Sequence, residues 1–244
     1  MSAGWQRRVL VPRGGELGDV LSDALEAAGF EVVVAPFLAF EPPRHPAALH
    51  GALRRLAVGR YDWVVLTSAN ALSAIPEDQR LGGARLAVVG RGTAKSALDR
   101  GIKPVFIPEV ESGKGLVDEW PSFASPGRVL VLQSDLAGGG VARGLRARGH
   151  AVDRVVAYRT VHVEPPSHVV RDLALGRFDA IVVPSGSVAR AIVAVSPDIP
   201  ASTRIVVIGP RTAREAAEAG LTVAGVAGDR SAAGLVAALK ELFA

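Results

Sequence analysis

The sequence predicts an α/β protein made of two similar doubly wound parallel-sheet lobes, an internal duplication with two crossings between its halves. Three observations point there. Short apolar strands alternate with helices of about ten residues, the pattern of parallel sheets covered on both faces. The second half of the chain repeats the grammar of the first at a spacing of about 120 residues. Two extended stretches, Val33–Pro43 and Val155–Pro166, each outrun a strand end and stop at Glu-Pro-Pro, where φ is locked and backbone donors are missing. Such stretches at equivalent places read as two crossings between two globular bodies.

The elements follow in order. Arg8–Arg13 is the first strand, and Leu17, Val20, Leu21, Ala24, Leu25 and Ala28 form a helical stripe closed by Gly29. Glu31–Ala35 is the next strand, followed by the first crossing and a helix over Ala47–Val58 that ends at Gly59. Trp63–Leu66 is a buried strand that breaks at Thr67-Ser68-Ala69-Asn70 into a short helix. The strand Arg85–Val89 turns at Gly90-Arg91-Gly92-Thr93 into a helix ending before Gly101. A strand is expected at Val105–Ile107 and a closing helix over Ser112–Trp120.

The pattern then restarts. Gly127–Asp135 echoes Arg7–Gly15, and Gly176–Ser185 echoes Gly59–Ser68. Ile205–Ala213 echoes Leu86–Ala94, and Asp229–Ala232 echoes Val110–Gly113. Read from the repeat alone, the chain divides near residue 124.

Composition excludes several classes. At 244 residues, 49% hydrophobic and 21% charged, the chain can bury a core and is not generally disordered. No apolar run approaches the roughly 18 residues of a membrane span, and the basic start carries too short an apolar run for a signal peptide. Cytoplasmic location is the expectation. Zero cysteines remove disulfides, thiolate nucleophiles and thiolate metal sites. The five histidines show no ligand spacing, so no metal is expected. Net charge is +4, but the arginines are scattered and aromatics make up 5%, which argues against nucleic acid and suits a small polyanion.

The candidate site residues lie at strand-to-helix turns: Thr67–Asn70, Gly90–Thr93, Pro184–Ser187 and Gly209–Thr212. Small residues there let an anion reach the free N–H groups of a helix start, and hydroxyls add donors. Capping by Ser and Thr explains any one such turn equally well. Stricter motifs fail: Gly90-Arg91-Gly92 lacks the third glycine of a dinucleotide fingerprint, Ser112–Gly115 lacks P-loop spacing, and Ser185 has no nucleophile elbow. The residues by themselves leave a binding protein and an enzyme both open.

The motif set resembles the uroporphyrinogen-III synthase family. The residues that carry the resemblance are Asp62–Ala71, Val89–Ala94, Val156–Thr160, Asp179–Ser187 and Ile208–Ala213, in order along nearly the whole chain. The resemblance implies lobes of residues 1–36 plus 166–244 and of 41–155. Residues 37–40 and 156–165 would then be paired crossover strands, with a cleft between the lobes.

It further implies cofactor-independent cyclisation of hydroxymethylbilane with loss of water and inversion of ring D, in tetrapyrrole biosynthesis. A monomer is implied, with transient hand-over from hydroxymethylbilane synthase. Tyr158 aligns with the family's crossover tyrosine, proposed as the acid that assists hydroxyl departure; packing against Phe37 or Phe40 is the other role open to it. Thr67, Ser68, Ala69, Asn70, Thr93, Ser185, Gly186, Ser187, Gly209, Arg211 and Thr212 fall in turns matched to the family's substrate cleft. Arg13 and Arg91 join them from their positions at strand ends. Pro184 and Gln133 depart from the family pattern, which usually has Thr or Ser and a basic residue there. The same matched residues also suit a non-catalytic, tetrapyrrole-binding regulatory protein.

Overall fold

The computed structural model describes residues 6–123 and 125–244. By Cα proximity the chain falls into two units, Met1–Ala39 with Val161–Ala244 (unit 1) and Phe40–Thr160 (unit 2). Residue 124, where the repeat alone divides the chain, lies outside the described residues, and unit 2 runs through it.

Unit 1 is a five-stranded sheet ordered β10-β9-β8-β1-β2, from Val223–Val226, Arg204–Val207, Ala180–Val183, Arg8–Val11 and Glu31–Val34. All its pairings are parallel. The strands are four residues long, and the central ones are buried on both faces, which is why they read as unbroken apolar runs. Alternate side chains feed two cores. Leu10, Ile181, Val183, Ile205 and Val207 pack on one face, and Val9, Val11, Ala180, Val182 and Val206 on the other. The helices are α1 (Glu16–Ala27), α7 (Ser167–Ala174), α8 (Gly186–Val195), α9 (Pro210–Glu218) and α10 (Ala232–Phe243).

The second sheet, which belongs to unit 2 except for the first two residues of β3 and the last two of β7, is ordered β3-β7-β6-β4-β5, from Leu38–Glu41, Ala151–His162, Arg128–Ser134, Trp63–Leu66 and Arg85–Val88. Its two cores alternate in the same way, Val64, Leu66, Leu86, Val88, Leu130 and Leu132 against Trp63, Val65, Ala87, Val129 and Val131. The helices are α2 (Ala47–Ala57), α3 (Ala69–Leu72), α4 (Arg91–Asp99), α5 (Gly113–Asp118) and α6 (Gly140–Ala147). The strand expected at Val105–Ile107 reduces to a single parallel bridge between Phe106 and Ala87. Pro104 and Pro108 remove amide donors on either side of it, so no ladder propagates.

The duplication survives at atomic detail. In unit 2 the Asp62 carboxylate accepts the Arg128 N–H at 2.7 Å, while in unit 1 Asp179 accepts the Arg8 N–H at 2.8 Å. Each acid stands just before one strand and caps the start of its neighbour. Gly59 and Gly176 end equivalent helices in the left-handed region, at φ 70° and 63°, where a side chain would be strained. Ser112 and Ser231 cap equivalent helices, accepting from Gly115 N at 2.9 Å and Gly234 N at 3.0 Å. The strand pairs β6-β7 and β1-β2 correspond, yet one pair follows its β4-β5 partners in sequence and the other precedes β8-β9.

Candidate active site

In parallel sheets of this kind the carboxyl ends of the strands carry ligand-binding turns. In unit 2, β4 delivers half-buried Thr67 and Ser68 to that edge, and half-buried Ala69 and Asn70 open α3. Ser68 occupies the N-cap position of α3, but its side chain makes no capping bond. Its Oγ lies instead 2.9 Å from the phenol oxygen of Tyr158, with either group able to donate.

Tyr158 is placed there by an irregularity in β7. Gln133 pairs with Val156 and Ser134 with Tyr158, so Ala157 is an extra residue in the ladder. A bulge of this kind turns two successive side chains to one side. Val155, Ala157 and Tyr158 accordingly all meet the same core. Phe40 packs edge-on against the Tyr158 ring, centroids 5.5 Å apart at 88°. The tyrosine is therefore packed along its ring and hydrogen-bonded at its tip.

Further groups gather beside it, of which the sequence reading had singled out Gln133 alone. Asp135 Oδ1 accepts the Thr160 N–H at 3.1 Å and the Leu136 N–H at 3.0 Å, and the Asp135 N–H donates to the Tyr158 carbonyl at 3.0 Å. Gln133 is 1% exposed; its Nε2 donates to the Ala137 carbonyl at 2.8 Å, and its Oε1 is buried without a hydrogen bond among the described residues. Arg159 pairs with Glu41. The signal for Asp135 was present in the repeat, since Ser134-Asp135 closes the β6 segment where Gly14-Gly15 closes its counterpart after β1.

The turn after β5 is partly filled by the chain itself. The Arg91 N–H donates to Glu111 Oε2 at 3.3 Å, and the exposed Arg91 guanidinium stands 3.7 Å from the other carboxylate oxygen. A Cβ at Gly90 would come within 2.6 Å of Glu111 Oε2, so glycine is what lets the acid approach. Thr93 is buried in the first turn of α4.

Unit 1 repeats the chemistry with variations. Ser185 accepts from the Val188 N–H at 3.4 Å and lies 3.0 Å from Ser187 Oγ. Gly186 is buried, and Glu215 packs against it so closely that an added Cβ would sit 1.8 Å from Oε2. Arg211 donates to that Glu215 carboxylate at 2.8 Å. Gly209 caps α9 with Pro210 at its first position, and Thr212 is buried like Thr93. Arg13 is half-buried after β1, ahead of the Gly14-Gly15 turn into α1. The residues named from sequence thus form two sets: Thr67, Ser68, Ala69, Asn70, Arg91, Thr93 and Tyr158 in unit 2, the remainder in unit 1.

The ionisable groups with displaced pKa values stand elsewhere. Burial, and then a 2.6 Å hydrogen bond to Asp153, raise the Tyr61 phenol; that same bond, with Arg55, lowers Asp153. Asp172 is lowered by Arg8 and then by Arg177. Among the described residues no group of three or more His, Cys, Asp or Glu side chains could hold a metal ion, and no helix is long and apolar enough to cross a membrane.

The family model of uroporphyrinogen-III synthase HemD matches residues 19–237. The chain belongs to the uroporphyrinogen-III synthase family. Similar curated proteins include a porphyrin biosynthesis protein HemD of Ruminiclostridium josui, 27% identical over 86% of this chain and 43% of its own length. A uroporphyrinogen-III synthase of Synechococcus elongatus is 29% identical over 63% of this chain and 61% of its own. The chain therefore spans about two-fifths to three-fifths of the length of these relatives. Among solved structures, a mutant uroporphyrinogen III synthase of Thermus thermophilus matches with a TM-score of 0.67 at 18% identity, covering 97% of this chain and 98% of that one. The Helicobacter pylori uroporphyrinogen-III synthetase matches at 0.66 and 15%, covering 97% and 100%. At these identities the likeness is one of fold, that of a two-lobed family with parallel sheets.

Proposed function

We propose that this protein is a uroporphyrinogen-III synthase that cyclises hydroxymethylbilane with loss of water and inversion of ring D. The observation that carries the reading is the Tyr158 phenol, bonded to Ser68 at a strand-end turn of a chain matched to the family over residues 19–237. In this reading the Tyr158 O–H gives its proton to the departing hydroxyl, releasing water and leaving an azafulvenium cation. The substituted carbon of ring D attacks that cation to form a spiro intermediate, which rearranges to the inverted ring.

A free phenol with pKa near 10 is a weak acid. With the phenol proton directed at the departing hydroxyl, Ser68 Oγ donates its own proton to the phenol oxygen, which stays hydrogen-bonded through the transfer. The phenolate then recovers its proton when the new ring loses one.

The remaining site residues act on the substrate's acetate and propionate groups. Arg13, Arg91 and Arg211 supply charge, and the turns at Thr67–Asn70, Gly90–Thr93, Ser185–Ser187 and Gly209–Thr212 supply amides and hydroxyls. Glu111 and Glu215 already lie at two of those turns, where they stand in for the substrate's carboxylates and are displaced on binding. Holding one folded geometry is the main catalytic demand, because spontaneous closure proceeds without inversion. The same reading makes the protein a cytoplasmic monomer, independent of cofactors and nucleic acid, that receives hydroxymethylbilane from the synthase that makes it.

The test supplies hydroxymethylbilane, oxidises the products and separates the porphyrin isomers. Isomer III above the spontaneous background is expected. Isomer I alone, with tetrapyrrole still bound, would assign the protein to non-catalytic binding.

A further inference from the structure

Unit 2 carries a second charged feature at the opposite edge of its sheet, where β4 and β6 begin. Gly51, Arg54, Arg55, Val58, Arg60 and Arg128 line an open hollow of about 410 Å³ there. Arg54 and Arg55 occupy the last turn of α2, Arg60 precedes β4, and Arg128 is the first residue of β6. Four arginine side chains therefore border one small space, their aliphatic stems forming most of its wall.

The acids at this edge do not balance them. Asp153 takes the Arg55 guanidinium at 3.1 Å and the Tyr61 hydroxyl at 2.6 Å. Asp62 is engaged with the Arg128 backbone N–H rather than its side chain. Among the described residues no carboxylate lies within ion-pair distance of Arg54, Arg60 or Arg128. The carbonyl end of α2 offers only partial negative charge.

Gly51 sharpens the point. A Cβ placed there would lie 3.5 Å from Arg55 Nη1 and 4.0 Å from Arg54 Nη2, so both forks fold over the same glycine. Glycine inside a helix weakens it, and here it leaves the floor of the hollow bare. Like charges drawn together over an open floor repel one another unless an anion enters between them.

We propose that this hollow binds an oligophosphate, either inorganic or the phosphate chain of a nucleotide. Arginine forks grip phosphate oxygens in pairs, and the Arg54 and Arg55 forks over Gly51, with the Arg60 and Arg128 side chains on the same lining, match several linked phosphates. Among the described residues no aromatic ring lines the hollow, so they offer a nucleobase no stacking platform and a nucleic-acid strand no stacked track. A flat acidic protein face would meet only the rim of such a concavity. The site stands apart from the Ser68–Tyr158 edge and does not rest on the synthase reading.

Titration calorimetry with sodium tripolyphosphate at low salt tests it on the full chain. One binding event is expected, weakened at least tenfold in Arg54→Ala/Arg60→Ala while the melting curve stays that of the parent. Arg54→Lys/Arg60→Lys, which keeps the charge but loses the forks, should fall between the two. Ser68→Ala should bind as the parent does, and ATP should match tripolyphosphate within threefold. Absence of heat, equal binding by the alanine pair, or loss of binding in Ser68→Ala would overturn the proposal. So would tenfold preference for ATP, which would require a base contact, or equally tight binding of poly-glutamate to the same arginines.

Discussion

The phenol oxygen of Tyr158 and the Oγ of Ser68 lie 2.9 Å apart, a hydroxyl pair joining β7 to the turn after β4 across 90 residues of sequence. Tyr158 comes from an irregular point in β7 and Ser68 from the turn after β4, so the pair exists only once the sheet has formed. Tyr158→Phe keeps the ring and its contact with Phe40 and removes the proton donor alone. Loss of a general acid costs about 10²–10⁴-fold in rate. We expect formation of isomer III to fall at least 10²-fold at an unchanged melting temperature; an unchanged rate would leave Tyr158 a packing residue.

Ser68→Ala should be milder. The side chain does not cap α3, so stability is expected to hold within about 1 kcal/mol, the net value of one hydrogen bond. Turnover should drop by roughly tenfold, the equivalent of about 1.4 kcal/mol. Combined with Tyr158→Phe it should add little, because both changes remove the same contact. Steady-state rates of the two single variants and the double variant decide this.

Glu111 fills the turn at the start of α4 with the protein's own carboxylate. If a substrate acid displaces it, Glu111→Ala opens the Arg91 amide and guanidinium together. The expected outcome is a lower KM with kcat nearly unchanged, measured against hydroxymethylbilane concentration. A raised KM would mean that Glu111 holds Arg91 in place for the substrate instead.

Asp172 is a buried acid held below the usual carboxylate range by Arg8 at 2.8 Å and Arg177 at 3.0 Å. Its folded pKa is lower than the unfolded value of about 3.9. Its stabilising contribution is therefore complete above that value and disappears as pH falls through the folded one. Asp172→Asn should cost about 1.5 kcal/mol at neutral pH, toward the lower end for bonds to charged groups because Arg177 is largely exposed. Urea unfolding at stepped pH should show the parent and the variant converging below pH of about 4.

Asp62 and Asp179 perform one task in two places, accepting the first amide of a neighbouring strand. Each alanine variant leaves that N–H without its acceptor and should cost about 1–2 kcal/mol. Asp179→Ala should cost slightly more, since Asp179 also pairs with Arg7 at 2.7 Å. Chemical denaturation of the two variants side by side measures the difference.

Much of the fold was legible because its signals are local. Trp63–Leu66 and Ala180–Val183 read as central strands because burial on both faces demands four apolar residues in a row. Gly29, Gly59 and Gly149 marked helix ends because the left-handed turn admits little else. Val105–Ile107 misled for the same reason: its composition suits a strand, but the flanking prolines reduce it to one bridge. The turns at Thr67–Asn70 and Ser185–Ser187 were visible as small polar residues after strands, yet which hydroxyl caps a helix and which turns away was not. Ser185 caps α8 while Ser68 leaves α3 uncapped, a difference that depends on what stands opposite each.

The sequence by itself determined the alternation of strands and helices, the duplication, and the hydroxyl-rich, glycine-rich turns at strand ends. These follow from side-chain periodicity and backbone freedom, which act over a few residues. Only the tertiary structure decided the extra residue that turns Tyr158 toward Ser68 and the placing of Glu111 and Glu215 at helix starts. Each of those joins residues far apart along the chain, and pairings of that range are fixed by packing and register rather than by any local preference.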